Sequence, residues 1–73
     1  MKDRLFIAEL AELTGQKLST IKFYVENGLI PFEQESPQAR RTFNQAAAVK
    51  RIKEILKLKE KRFTIDEIKE KLQ

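Results

Sequence analysis

The chain contains no cysteine and no histidine. Disulfides, thiolate metal sites and imidazole ligands are therefore excluded, and a reducing compartment is the natural expectation. The common pairs of nucleophile and base go with them, leaving carboxylate, lysine and hydroxyl chemistry. Glycine and proline are scarce, with two of each, and no linker or low-complexity segment is visible. No stretch approaches the roughly 18 apolar residues of a membrane span. The opening "MKDRLFIAEL" is charged and lacks the apolar run of a signal peptide. A Gly-rich phosphate loop is missing too. The acids Glu9, Glu12, Glu26, Glu54, Glu60, Asp66, Glu67 and Glu70 fall mostly on solvated helix faces or caps. No catalytic constellation emerges: the expectation is a cytoplasmic, non-enzymatic protein with no metal and no cofactor.

What is present is charge in an uneven pattern. Over 73 residues the net charge is +4. Residues 1–39 are net −2 and residues 63–73 net −1, whereas residues 40–62 carry nine basic groups against Glu54 and Glu60, net +7. Concentrated positive charge points to a polyanion or an anionic surface; the competing reading is a solvated, lysine-rich helix face. The length allows one small domain, 1–73, whose core supplies only about 3–5 kcal/mol of net stability. An apolar fraction of 41% with 36% charged residues suits a helical fold.

Ile7, Leu10, Ala11 and Leu13 recur at near-helical spacing, predicting a helix from about 7 to 13 that Gly15 breaks. Leu18, Ile21 and Val25 give a second stripe, over about 17–27, closed by Asn27-Gly28, a folded-back Leu29 and Pro31. Two short helices joined by a tight turn form a helix-turn-helix candidate over about 7–27. "FEQESPQARRT" has no helical period and reads as two extended arms around a turn, a small β-wing over about 30–43. Asn44 is placed to cap a third helix over about 45–61, whose apolar face is Ala48, Val49, Ile52, Ile55, Leu56 and the stem of Lys59. Thr64 and Glu67 form a capping box, with Phe63 and Ile68 as its staple, opening a fourth helix over about 65–72. The expected fold is mainly α: a winged helix-turn-helix of four helices with the wing between the second and third.

On a helical wheel Leu18, Ile21 and Val25 face the core. Ser19, Thr20, Phe23 and Asn27 face away, with Lys22 and Tyr24 on opposite borders and Glu26 the only acid. Hydroxyls, an amide and an aromatic, flanked by a cation and a phenol, suit a major groove. In that pose the helix's N-terminal residues reach base edges, while Lys22 and Tyr24 bond phosphates. Other readings remain open: Tyr24 as a half-buried core residue with its hydroxyl in water, and Phe23 packed under the wing.

"IAELAELTG", "TIKFYVENGLIP", "RRTF" and "RFTIDEI", in that order, resemble the DNA-binding domain of MerR-type transcriptional regulators from about Leu5 to Leu72. The family pattern has "TIRYYE..GLL.P" in the recognition segment, "YR.Y" closing the wing and "GFSL.EI" opening the last helix. The resemblance implies a bacterial, nucleoid-associated regulator whose partner is double-stranded DNA. It implies DNA-backbone contacts by Lys22 and Tyr24, and a recognition-helix start of Lys17, Leu18 and Ser19 that partly faces the groove, with Thr20 and Phe23 following. Arg41 matches the wing arginine, with Arg40 beside it. The departures are specific: Lys22 stands for arginine and loses its fork. Phe23 and Phe43 lack hydroxyls, Lys17 replaces a capping serine, and the wing carries Glu33 and Glu35. Arg62 replaces the glycine before the aromatic, compatible with a phosphate contact.

Family members continue into a dimerising helix and an effector domain. A homodimer is therefore expected only with a longer C-terminal helix, and RNA polymerase or an antirepressor-type protein is a further possible partner. Alternatives of other kinds are an excisionase-like architectural factor that bends DNA, and a winged module that docks a protein. A membrane-surface or calmodulin-type target is a further alternative for the basic third helix, whose apolar face the core claims.

Overall fold

The computed structural model describes residues 3–72. Met1, Lys2 and Gln73, which bound the expected domain span, lie outside the described residues. The element order is β1 (Arg4–Leu5), α1 (Ile7–Thr14), α2 (Leu18–Glu26), β2 (Phe43–Asn44), α3 (Gln45–Glu60) and α4 (Ile65–Leu72). This is a winged helix-turn-helix, with helix boundaries within about one residue of those the apolar spacing predicts.

Three of the helices stop in the same way. At the end of α1 the Gly15 N–H donates to the Glu12 carbonyl (3.2 Å) and the Gln16 N–H to the Ala11 carbonyl (3.0 Å). After α2 the Gly28 N–H donates to Val25 (3.0 Å) and the Leu29 N–H to Tyr24 (2.9 Å). After α3 the Arg62 N–H donates to Lys59 (2.9 Å) and the Phe63 N–H to Leu58 (3.2 Å). Each pair is a Schellman closure and requires a left-handed residue at its pivot. Gly15 and Gly28 supply φ of 69° and 71°, and Arg62 adopts 65° without the freedom of a glycine.

The helix starts follow their sequence signals. The Asn44 side chain accepts a bond from the Ala47 N–H at 2.9 Å. The Thr64 N–H donates to Glu67 (3.0 Å) while the Glu67 N–H donates to the Thr64 hydroxyl (3.2 Å), completing the box. These bonds hold the Glu67 carboxyl below the usual glutamate range, the backbone N–H of Thr64 first and its hydroxyl second.

The core gathers Leu5, Leu10, Ala11, Ile21, Tyr24, Val25, Leu29, Ile30, Phe43, Ala48, Ile52, Ile55 and Ile68. α1 packs on α2 and on α3, and α3 carries α4. Two expected stripe members are corrected: Leu13 is 53% and Leu18 39% exposed. Both helices are short and turn their faces according to which partner lies opposite. In α2 that selects Ile21, Tyr24 and Val25, spaced i, i+3, i+4.

One strand was not expected. β1 pairs antiparallel with β2, Leu5 opposite Phe43 and Arg4 opposite Asn44. Two residues carry no readable periodicity, and the partner lies far along the chain. The wing arms themselves meet at one bridge, where the N–H groups of Glu33 and Thr42 each donate to the other's carbonyl at 2.8 Å. Its tip is closed by the Gln34 side-chain amide donating to the Ala39 carbonyl at 2.7 Å. Buried Ile30 and Phe43 anchor the two ends of the wing to the body.

Candidate nucleic-acid interface

The helix α2 is short enough that its two faces divide cleanly. Ile21, Tyr24 and Val25 are buried, while Leu18, Ser19, Lys22, Phe23 and Glu26 are exposed and Thr20 and Asn27 half-buried. Phe23 is 49% exposed, with its ring centroid 6.2 Å from that of Tyr24. It thus stands on the outer side, as the wheel predicts. Lys17 is the N-cap residue in extended conformation, and its side chain makes no capping bond. The first N–H groups of α2 are thereby left to solvent or to an anion, with a lysine beside them. The Asn27 amide is turned back, donating to the Phe23 carbonyl at 2.8 Å.

Tyr24 requires a correction. It was expected on the border of the outer face, offering its phenol to a phosphate. It is 1% exposed and belongs to the core. Its hydroxyl accepts a hydrogen bond from the Lys59 ammonium at 3.3 Å, and that ammonium lies 5.7 Å from the ring centroid. The physical reason is that the body of the fold closes on this border of α2, with Lys59 of α3 reaching the Tyr24 ring. A wheel drawn for one helix has no knowledge of the second one. The pair of aromatics that the sequence sets side by side is therefore divided, one ring to the core and one to solvent.

The wing is tied to the body by side chains as much as by its single bridge. Arg41 lies 3.5 Å from the Glu26 carboxylate at the end of α2, and its guanidinium sits 4.5 Å above the centre of the Phe32 ring. Arg40 stacks on the other side, 3.8 Å above the ring of Phe6, the residue that precedes α1. Arg4 pairs with the wing acid Glu33. Of the two wing carboxylates, Glu33 and Glu35, the first is thus already matched by a cation. Arg62 is exposed beyond the last turn of α3. Among the described residues its side chain makes no hydrogen bond, ion pair or ring stack with the other candidates.

The arrangement joins the outer face of α2 to the wing through Glu26 and Arg41. Sequence reasoning missed Phe6 and Phe32, which support the arginines, and saw Glu26 only as an acid on the outer face. All three act through contacts between separate parts of the chain, and no local pattern announces them. Among the described residues there is no cluster of acids suited to a metal ion and no helix long and apolar enough to cross a membrane.

Comparison with known proteins adds a decisive observation. A family model described as the MerR HTH family regulatory protein matches residues 6–73. The chain belongs to the MerR helix-turn-helix family. It carries the DNA-binding helix-turn-helix of a transcription-regulator family that acts on double-stranded DNA, a family of regulators rather than enzymes. No curated protein and no solved structure gave a significant match. Within this MerR-family chain, the run that resembles the family's recognition segment forms α2, and Arg62 stands directly before Phe63, ahead of the closing helix. The positive φ at Arg62 explains why a glycine suits that place.

Proposed function

We propose that the chain reads a short sequence in double-stranded DNA, with α2 in the major groove and the wing on the adjacent backbone. The observation that carries this reading is the outer face of α2. Lys17, Leu18, Ser19, Thr20, Lys22 and Phe23 lie off the buried face, and Arg41 is linked to the end of the same helix. Ser19 and Thr20 supply hydroxyls for base edges, while Leu18 and Phe23 supply apolar contact with bases or sugars. Lys17, Lys22, Arg40, Arg41 and Arg62 neutralise phosphates. Five such contacts correspond to a log–log salt slope of at most about −4.5, and each cation removed takes about 0.9 from it.

The test is a selection from random duplexes near 0.1 M salt, followed by binding of variants to the recovered sequence. Lys22→Ala is expected to weaken binding to every duplex and reduce the salt slope, because a phosphate contact carries no sequence information. Ser19→Ala is expected to change sequence preference instead. Failure of any motif to enrich removes the reading. One recovered motif corresponds to a single module on a half-site. Two inverted motifs at fixed spacing correspond to a dimer, which a helix continuing beyond α4 would supply. A protein-docking module is the second reading, and the acids Glu33 and Glu35 in the wing mildly favour it. Glu33 is paired with Arg4, which removes half of that support.

A further inference from the structure

Arg40 and Arg41 are consecutive residues on the extended return arm of the wing. Successive side chains of an extended chain point to opposite sides, so one aromatic residue cannot serve both. Each has its own: Phe6 under Arg40 at 3.8 Å and Phe32 under Arg41 at 4.5 Å. The two rings come from different parts of the chain, one from the segment before α1 and one from the outgoing arm of the wing. Both distances are well inside the roughly 6 Å within which a ring face attracts a cation.

We propose that Phe6 and Phe32 are positioning residues for DNA binding, each holding a wing guanidinium by its flat face so that its N–H edges remain available to phosphate. This rests on the reading of the wing as a backbone contact. The chemistry of the guanidinium makes the two roles compatible. Its donors lie in the plane, at the edge, whereas the stack uses the face. A carboxylate partner takes an edge instead. Glu26 approaches one Nη of Arg41 at 3.5 Å, longer than a good charge-assisted hydrogen bond, and among the described residues nothing else bonds the fork. Lysine has no face to stack in this way. A long side chain already fixed over a ring loses less freedom when it meets a phosphate, and each rotamer-rich side chain so spared corresponds to roughly a two- to tenfold gain in affinity.

The experiment uses the full chain and the duplex recovered by selection, with a measurement on the free protein beside it. In the free protein, side-chain protons of Arg41 are expected to be shifted upfield by the ring current of Phe32. The shift is lost in Phe32→Leu and kept in Phe32→Tyr, and Phe6→Leu has the same effect on Arg40. In binding, Phe32→Leu and Phe6→Leu each weaken affinity roughly two- to tenfold with an unchanged salt slope, since every charge is retained. Phe32→Tyr restores the wild-type value. Arg41→Gln weakens binding and also lowers the slope by about 0.9. Melting curves of the four variants confirm that the fold persists; Phe32 is 39% exposed, and its ring lies 6.3 Å from that of buried Phe43, an aromatic pair that Phe32→Tyr keeps. If the Leu variants lose the ring shift yet bind as the wild type does while Arg41→Gln does not, the positioning role is refuted and the wing contact stands. If Arg41→Gln also binds as the wild type does, the wing contact itself is wrong and the positioning role falls with it.

Discussion

Arg62→Gly should make the protein more stable while weakening its grip on DNA. Arg62 holds a φ of 65° at the pivot of the third Schellman closure, the position that Gly15 and Gly28 occupy in the other two. A residue with a Cβ carries about 1–2 kcal/mol of strain in the left-handed region. Glycine removes that strain but loosens the unfolded chain, which costs about 0.4–1 kcal/mol. The difference is a net gain of about 0.8 kcal/mol, near the middle of both ranges. For a domain of this size that corresponds to a rise in Tm of about 3–6 °C. Arg62→Ala supplies the control, because alanine keeps the Cβ and the strain and removes only the long side chain. The assay is thermal unfolding by circular dichroism for the three proteins, with salt-dependent DNA binding on the same samples. The expected pattern is a raised Tm for the glycine variant alone. The expected loss of about 0.9 in salt slope is common to both variants. A glycine variant that melts at or below the alanine variant contradicts the strain argument. Wild-type salt slopes in both variants contradict a phosphate contact at Arg62.

Asn44→Ala removes the bond from the Ala47 N–H at the start of α3 and should cost about 1 kcal/mol, seen as a Tm lower by about 4–8 °C; an unchanged Tm shows that solvent replaces the cap fully. The carboxyl of Glu67 is held below its usual value by Thr64, so its contribution is present above the unfolded glutamate value of about 4.3 and is lost as pH falls through the lower folded value. Urea unfolding of the wild type and Glu67→Gln should accordingly differ by a constant amount above roughly pH 5 and converge in stronger acid, while a difference that persists or grows at low pH reverses the sign of the argument. Tyr24→Phe removes the acceptor of the Lys59 bond and should lower stability by about 1 kcal/mol or less, because the exposed ammonium recovers water. Its affinity for DNA should remain that of the wild type, and a tenfold drop shows that the phenol reaches the DNA after all.

Local signals in the chain were enough to determine the four helices and their order. The breaks at Gly15 and Gly28-Leu29, the cap at Asn44 and the Thr64–Glu67 box are short-range events, and each depends on residues within about one turn of helix. The outer position of Phe23 follows from helical periodicity alone, and so does the burial of Ile52, Ile55 and Ile68. The family was legible for a similar reason, since its motifs are short runs in a set order. Tertiary structure decided the rest. The fate of Tyr24 depends on what the rest of the fold, Lys59 of α3 included, brings against one border of α2, and Leu13 stays 53% exposed at the edge of a groove whose other wall is α3. The strand at Arg4–Leu5 exists only because Phe43–Asn44 comes alongside. The arginines of the wing lie over Phe6 and Phe32 because the fold brings separate segments within a few ångströms of each other. A periodic pattern tells a helix which of its faces is apolar, but the neighbour it meets decides how wide the covered face is. Contacts between distant residues leave no local trace, and in this molecule they support the side chains on which DNA recognition is proposed to rest.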